Sequence, residues 1–176
     1  VEISLFTPKA TLVPSQFYSD DRKRMCLSEV MRISDTDPVE SVEIPELAAV
    51  LVYSNNVGET LSKVISETVL TVDGTKTKPL PEFYYMLKGL SEVKEYNKIV
   101  ASYMDGRLYL VIAQGNSLML CNSFAAPDFT TAEYFIFLAM KKLQLNPEVS
   151  TITFRTPLSE DQEISLYRYF KSVDIL

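Results

Sequence analysis

Two short turns carry the residue types that could do chemistry in this chain: Asp105-Gly106 and Gln114-Gly115-Asn116, both inside the stretch NKIVASYMDGRLYLVIAQGNSLMLCNSF from Asn97 to Phe124. A carboxylate beside a glycine can serve a ligand or merely reverse the chain. A third candidate, Asp73-Gly74-Thr75-Lys76-Thr77, brings acid, glycine, hydroxyl and base together in five residues. Around these the inventory is thin. Histidine is absent from all 176 residues, which removes the commonest general base and the commonest nitrogen metal ligand and excludes Ser-His and Cys-His nucleophilic sites. Cysteine occurs twice, as Cys26 and Cys121, each within an apolar pattern. That usage predicts buried free thiols in a reducing, cytoplasmic compartment, with neither a disulfide frame nor a CxxC metal site; no cofactor is implied.

Charge and composition narrow the partners. With 17 basic against 23 acidic residues the formal net charge is -6. The one compact basic run, Arg22-Lys23-Arg24, is surrounded by Asp20, Asp21 and Glu29, so nucleic acid is not an expected partner. A hydrophobic content of 47% is enough for one good-sized core or two small ones, and no apolar run approaches the ~20 residues needed to span a bilayer. The chain begins at Val1 in an extended pattern, VEISLF, which reads as a processed or truncated start with strands upstream of it.

The elements that must position the turns are clearest from Asn97 onward. Ile99 to Met104, Leu108 to Ala113 and Leu118 to Ser123 are predicted strands, joined by turns short enough to force an antiparallel meander. Leu108, Leu110 and Ile112 alternate with Tyr109, Val111 and Ala113, so both faces of the sheet must be covered. Thr130 and Glu133 have the spacing of a capping box for a buried helix through YFIFLAM, with Lys141 and Lys142 at its end and Asn146-Pro147 as its stop. Ser150 to Arg155 alternates as a strand. Ser159 and Gln162 cap a second helix bearing Ile164, Leu166, Tyr167 and Phe170, and VDIL starts a last strand. The order βββαβαβ, with right-handed crossovers, is the ribonuclease-H-like order.

The first half follows the same template. Ile3 to Phe6 and Ala10 to Val13 are extended, and Asp20 to Arg32 is helical with Met25, Cys26, Val30 and Met31 inward. Val39 to Ile44 and Ala48 to Tyr53 are strands. A helix capped by Asn56 and Glu59 carries Leu61, Val64 and Ile65, Val69 to Val72 is a strand, and Pro81 opens a helix through Phe83, Tyr84, Leu87 and Leu90. The fold class expected is α/β, as two tandem ribonuclease-H-like halves, 1–91 and 92–176, meeting near Ser91, the first lacking its opening strands. A single mixed α/β domain is the rival.

Two such halves describe the actin-like ATPase superfamily, which includes actin, Hsp70, sugar kinases, FtsA and PilM. The run LMLCNSFAAPDFTTAEYFIFLAMKKLQLNPE from Leu118, with ELAAVLVYSN and ATLVPSQFY, narrows this. It resembles an uncharacterised Bacteroidetes family of unknown function that is assigned the actin-like fold. In that family an NSF triplet, here Asn122-Ser123-Phe124, ends a strand, and an aromatic-rich helix closes with an LGLNPE-like phrase, here Leu143 to Glu148. Its members usually carry more residues before the Val13-Pro14 segment. The resemblance implies a fold and no known activity.

In ATPases of that superfamily an acidic, glycine-rich hairpin followed by Thr or Ser holds Mg²⁺ and phosphate. Asp105, Gly106 and Arg107 stand at the corresponding hairpin of the second half, but only one glycine is present, and Leu108 and Tyr109 fall where small hydroxyl residues are wanted. A type I′ turn explains Asp-Gly by itself. Asp73 to Thr77 follows the last strand of the first half, the wrong place, and reads as a solvated loop. The five glycines, at 58, 74, 89, 106 and 115, are isolated, so the pair that approaches adenosine has no counterpart. A ribonuclease-H nuclease would need carboxylates converging on two metals, yet Ile99 to Met104 and Ser150 to Arg155 supply none, and Glu133 is assigned to a cap. Phe83-Tyr84-Tyr85, with Tyr167, Tyr169 and Phe170, reads first as core packing. The function expected is a non-catalytic actin-like scaffold that binds a protein partner or a second copy of itself, with apolar surface left over for that contact; the alternative is a nucleotide-binding ATPase using Asp105, Gly106 and Arg107.

Overall fold

The structure, a computed structural model, describes residues 3–55 and 78–176. The expected helix at Asn56 to Ile65, the strand Val69 to Val72 and the Asp73 to Thr77 loop lie outside the described residues. The chain forms two compact units, Val1–Tyr85 and Met86–Leu176.

In the first unit β1 (Ser4–Leu5) pairs in parallel with β5 (Leu80–Pro81). β2 (Ala10–Pro14), β3 (Val39–Ile44) and β4 (Ala49–Ser54) form an antiparallel sheet with β4 in the centre. The central place explains why AVLVYS is buried at every position: a strand flanked on both edges and covered on both faces needs no polar alternation. Ala48, read as the first strand residue, instead sits at φ 48°, ψ 45° and ends the turn after Pro45–Leu47.

Helix α1 (Lys23–Val30) follows a 3-10 turn at Asp20–Arg22. Its inward face corrects the sequence reading. Leu27 is fully buried against Val50 and Val52, with Val13, Tyr18 and Val39 around it. Met25 and Val30, expected inward, are exposed and Cys26 is half-buried, while Met31, extended at φ -155°, ψ 159° past the helix end, does pack against this cluster as expected. Apolar residues at 25, 26, 27 and 30 spread over more than half the circumference of a helix of only two turns, so periodicity could not choose a face, and the contact with β4 did. Helix α2 (Glu82–Gly89) follows Pro81 as expected and buries Phe83, Met86 and Leu87.

The second unit holds the meander. β6 (Asn97–Met104), β7 (Arg107–Gln114) and β8 (Ser117–Ala125) pair antiparallel, with Met104 opposite Arg107 and Gln114 opposite Ser117. Helix α3 (Phe129–Lys142) leads to β9 (Thr151–Phe154), which pairs in parallel with β6, and α4 (Glu160–Tyr167) leads to β10 (Ser172–Ile175), parallel to β9. The sheet order is β10-β9-β6-β7-β8, the arrangement expected from a meander followed by two crossovers.

Leu108, Leu110 and Ile112 pack with Ala132, Ile136 and Met140 of α3 and with Leu166 and Phe170. Tyr109, Val111 and Ala113, on the other face of β7, are buried as well. The Ser159–Gln162 capping box at α4 is present in both directions; of the apolar residues read on this helix, Leu166 and Phe170 are buried while Ile164 and Tyr167 are about half exposed. Of the aromatic stripe, Phe83, Tyr85 and Phe170 are buried, while Tyr169 is exposed and meets Phe137 at its edge.

The start of α3 is a second correction. Asp128, extended at φ -134°, ψ 165°, is the N-cap and accepts from the Thr131 amide, so the helix begins two residues before the expected Thr130–Glu133 box. Glu133 is then too deep in the helix to reach back to a cap; it is buried, and its Oε1 has no hydrogen-bond partner among the described residues. No helix among the described residues is long and apolar enough to cross a membrane.

Candidate functional site: the Asp105 hairpin

The hairpin between β6 and β7 has both central residues at positive φ, Asp105 at 50° and Gly106 at 69°. That is the signature of a type I′ turn, whose twist matches a two-residue β-hairpin. Asp and Gly fill it because Gly meets no Cβ penalty there and Asp tolerates the left-handed region. The second turn differs. Only Gly115, at φ 56°, is left-handed; its amide donates to the Tyr96 carbonyl at 2.8 Å, and a Cβ on it would lie 3.1 Å from the Tyr96 ring.

The Asp105 turn is held from behind by three long-range contacts. The Ala126 amide donates to the Gly106 carbonyl at 2.8 Å. Tyr103 Oη donates to the Ala126 carbonyl at 3.0 Å, and the Tyr103 amide donates to Thr156 Oγ1 at 2.9 Å. The Tyr103 ring meets Phe129 edge-on, with centroids 5.4 Å apart, and Phe129 leans on Phe154. Burial raises the Tyr103 phenol above its ordinary pKa, with the neighbouring Asp128 carboxylate adding to the effect. The Thr131 amide, and then its hydroxyl, hold Asp128 below the usual carboxylate value. Both groups are thereby committed to structure, Tyr103 as a donor and Asp128 as a helix cap.

Of the residues proposed from sequence, Asp105 is exposed at the tip of the turn. Gly106 presents its backbone to Ala126 and Pro127, which would lie 3.7 and 3.6 Å from an added Cβ. Arg107 turns its guanidinium back along the sheet, where Nη1 donates to Ser123 Oγ at 3.4 Å. The turn is followed by Leu108 and Tyr109, both buried. The three residues thus adjoin in sequence without converging on one point. Tyr103, Ala126 and Thr156 were not singled out by sequence; their partners lie 23 and 53 residues away, and no local pattern marks such contacts. A cleft of about 360 Å³ lies elsewhere, lined by Glu92, Lys94, Glu95, Thr153 and Asp174. Among the described residues no group of three acidic, Cys or His side chains is placed to hold a metal.

Residues 1–173 match the family described as "Protein of unknown function (DUF3822)". The chain belongs to this family. No curated protein matches the chain. Among solved structures, this DUF3822 chain is similar to a crystal structure from Bacteroides thetaiotaomicron described as a protein with an actin-like ATPase fold and unknown function. The likeness has a TM-score of 0.73 at 15% identity and covers 99% of this chain and 67% of that one. At that identity it is a likeness of fold. A family of unknown function and a likeness to an actin-like fold, both expected from the sequence, are therefore found.

Proposed function

We propose that this member of the DUF3822 family is a non-catalytic actin-like scaffold, a protein-interaction module built from two ribonuclease-H-like halves, 1–91 and 92–176. The observation that carries the reading is the Asp105-Gly106 turn. Its conformation and its packing on Ala126 and Pro127 account for both residues as parts of a hairpin, and the positions after it are the buried Leu108 and Tyr109 rather than hydroxyl groups at a surface. The strand order of Met86–Leu176 supports the assignment of a half. The unpaired thiols Cys26 and Cys121, the latter with its pKa pushed up to about 12 by burial, fit a reducing cytoplasmic setting. The exposed side chains of Tyr134, Leu138 and Met119 fit a protein partner or a second copy.

The second reading, a nucleotide-binding ATPase in which Asp105, Gly106 and Arg107 contact the phosphates, is favoured by the likeness to a structure with an actin-like ATPase fold. Thermal melting with and without Mg-ATP separates the two, because a ligand at a hundred times its dissociation constant adds about 2.7 kcal/mol to native stability. An unchanged transition is the scaffold's result, and an upward shift is the ATPase's.

A further inference from the structure

Among the described residues strand β8 is an edge of the five-stranded sheet, and SLMLCNSFA contains no charged residue, proline or glycine. Edge strands are ordinarily blunted by such residues, because their outward amides and carbonyls template another strand. Here the blunting is slight. A register irregularity opposite Ile112 and Ala113 falls at Met119, leaving Leu120 to Ala125 regular, and the Ser123 amide is met by the side-chain oxygen of its own neighbour Asn122 at 2.8 Å.

Between this edge and α3 runs a groove of about 290 Å³, mostly apolar, lined by Leu120, Asn122 and Phe124 on the strand, by Phe135, Leu138 and Lys142 on the helix, and by Leu143 just past its end. Phe124 stacks on Phe135 with centroids 4.7 Å apart. The helix side continues outward as Tyr134 and Leu138, both exposed. From Phe129 to Met140 the only ionisable acid or base on α3 is the buried Glu133. The exposed charges stand at the two ends, Asp128 at the start and Lys141 and Lys142 at the close.

We propose that this face binds a second copy of the chain, β8 pairing antiparallel with its own equivalent about a two-fold axis at Asn122. The charge pattern chooses that occupant. A two-fold normal to the sheet lays the two α3 helices antiparallel on the same side, so the lysine end of each meets the Asp128 end of the other while the uncharged middles close on Tyr134 and Leu138. No acidic residue lines the groove, whose one charged side chain is Lys142 at its end, so the net charge of -6 is kept away from the contact. In this register Leu120 lies opposite Phe124 of the second copy, and Asn122 faces Asn122 at the short cross-strand distance of a non-hydrogen-bonded pair. The main-chain hydrogen bonds across the seam take over the Ser123 amide, freeing the Asn122 side chain to meet its equivalent. This inference gives the interaction reading a surface and a partner, and rests on that reading for its role.

The test is the solution mass of the 176-residue chain by light scattering after size exclusion, at tens of micromolar, for wild type, Asn122→Lys and Leu138→Lys, with folding checked by circular dichroism. Twice the chain mass for wild type and the single mass for both folded variants is the expected result. Asn122→Cys under mild oxidation is expected to give a covalent dimer that wild type, carrying Cys121 on the other face of the strand, does not. A monomeric wild type overturns the proposal and leaves the groove to some other occupant; so does a dimer that survives both lysines. Melting with Mg-ATP on the same samples keeps the two readings apart, since a nucleotide shift in a β8-paired dimer would defeat the scaffold and leave the dimer standing.

Discussion

The Ala126 amide closes on the Gly106 carbonyl at 2.8 Å, joining the tip of the β6–β7 hairpin to the segment that leads into α3. The turn is therefore a corner of the core, because Tyr103 donates its hydroxyl to the Ala126 carbonyl of that segment and its amide to Thr156, two residues past the end of β9.

Gly106→Val should destabilise the protein by about 1–3 kcal/mol, the usual cost of a side chain forced into the left-handed region, whereas Asp105→Asn should stay within about 0.5 kcal/mol because Asn tolerates the same conformation. Urea unfolding of the two variants measures this. Equal losses would contradict the I′ assignment.

Thr156→Val should cost about 1–3 kcal/mol by leaving the Tyr103 amide without its acceptor in a buried place, since Thr156 is 4% exposed. Thr156→Ser keeps the oxygen and should recover most of the loss. A valine as stable as the serine would mean that the amide has another acceptor.

Glu133→Met is expected to raise the urea midpoint, because a buried carboxylate oxygen without a partner carries a penalty of about 1–3 kcal/mol and the substitution keeps an unbranched side chain in the helix. A lowered midpoint would show that the carboxylate is satisfied in solution.

Acid should weaken the α3 cap. The folded-state pKa of Asp128 lies below its ordinary value of 3.8, chiefly through the Thr131 amide. Its contribution is thus fully present above that ordinary value and is lost as pH falls through the folded value. Asp128→Asn retains an acceptor for the cap and loses the titration. Unfolding followed from pH 5 to pH 2 should show a shallower acid slope for the variant than for wild type; identical slopes would remove Asp128 from the acid transition.

The parts legible in the sequence were those governed by neighbours in the chain. Asp-Gly and Gln-Gly-Asn fixed two hairpins because only certain residues enter positive φ, and Ser159 with Gln162 announced a cap because the reciprocal bonds span three residues. What escaped was decided at a distance. The apolar residues of α1 spread over more than half its circumference, and only the meeting with Val50 and Val52 selected Leu27. At α3 two cap signals competed, and Asp128 prevailed over Thr130, which turned Glu133 from a capping residue into a buried one. The hairpin's support by Thr156 crosses 53 residues and has no local signature.

The central claim, that Asp105-Gly106 is a structural corner rather than a phosphate-binding loop, is tested most directly by calorimetric titration of Mg-ATP into wild type and into folded Asp105→Asn. The account predicts no saturable heat in either protein. A saturable Mg-ATP isotherm in wild type that disappears in an equally stable Asp105→Asn would contradict it.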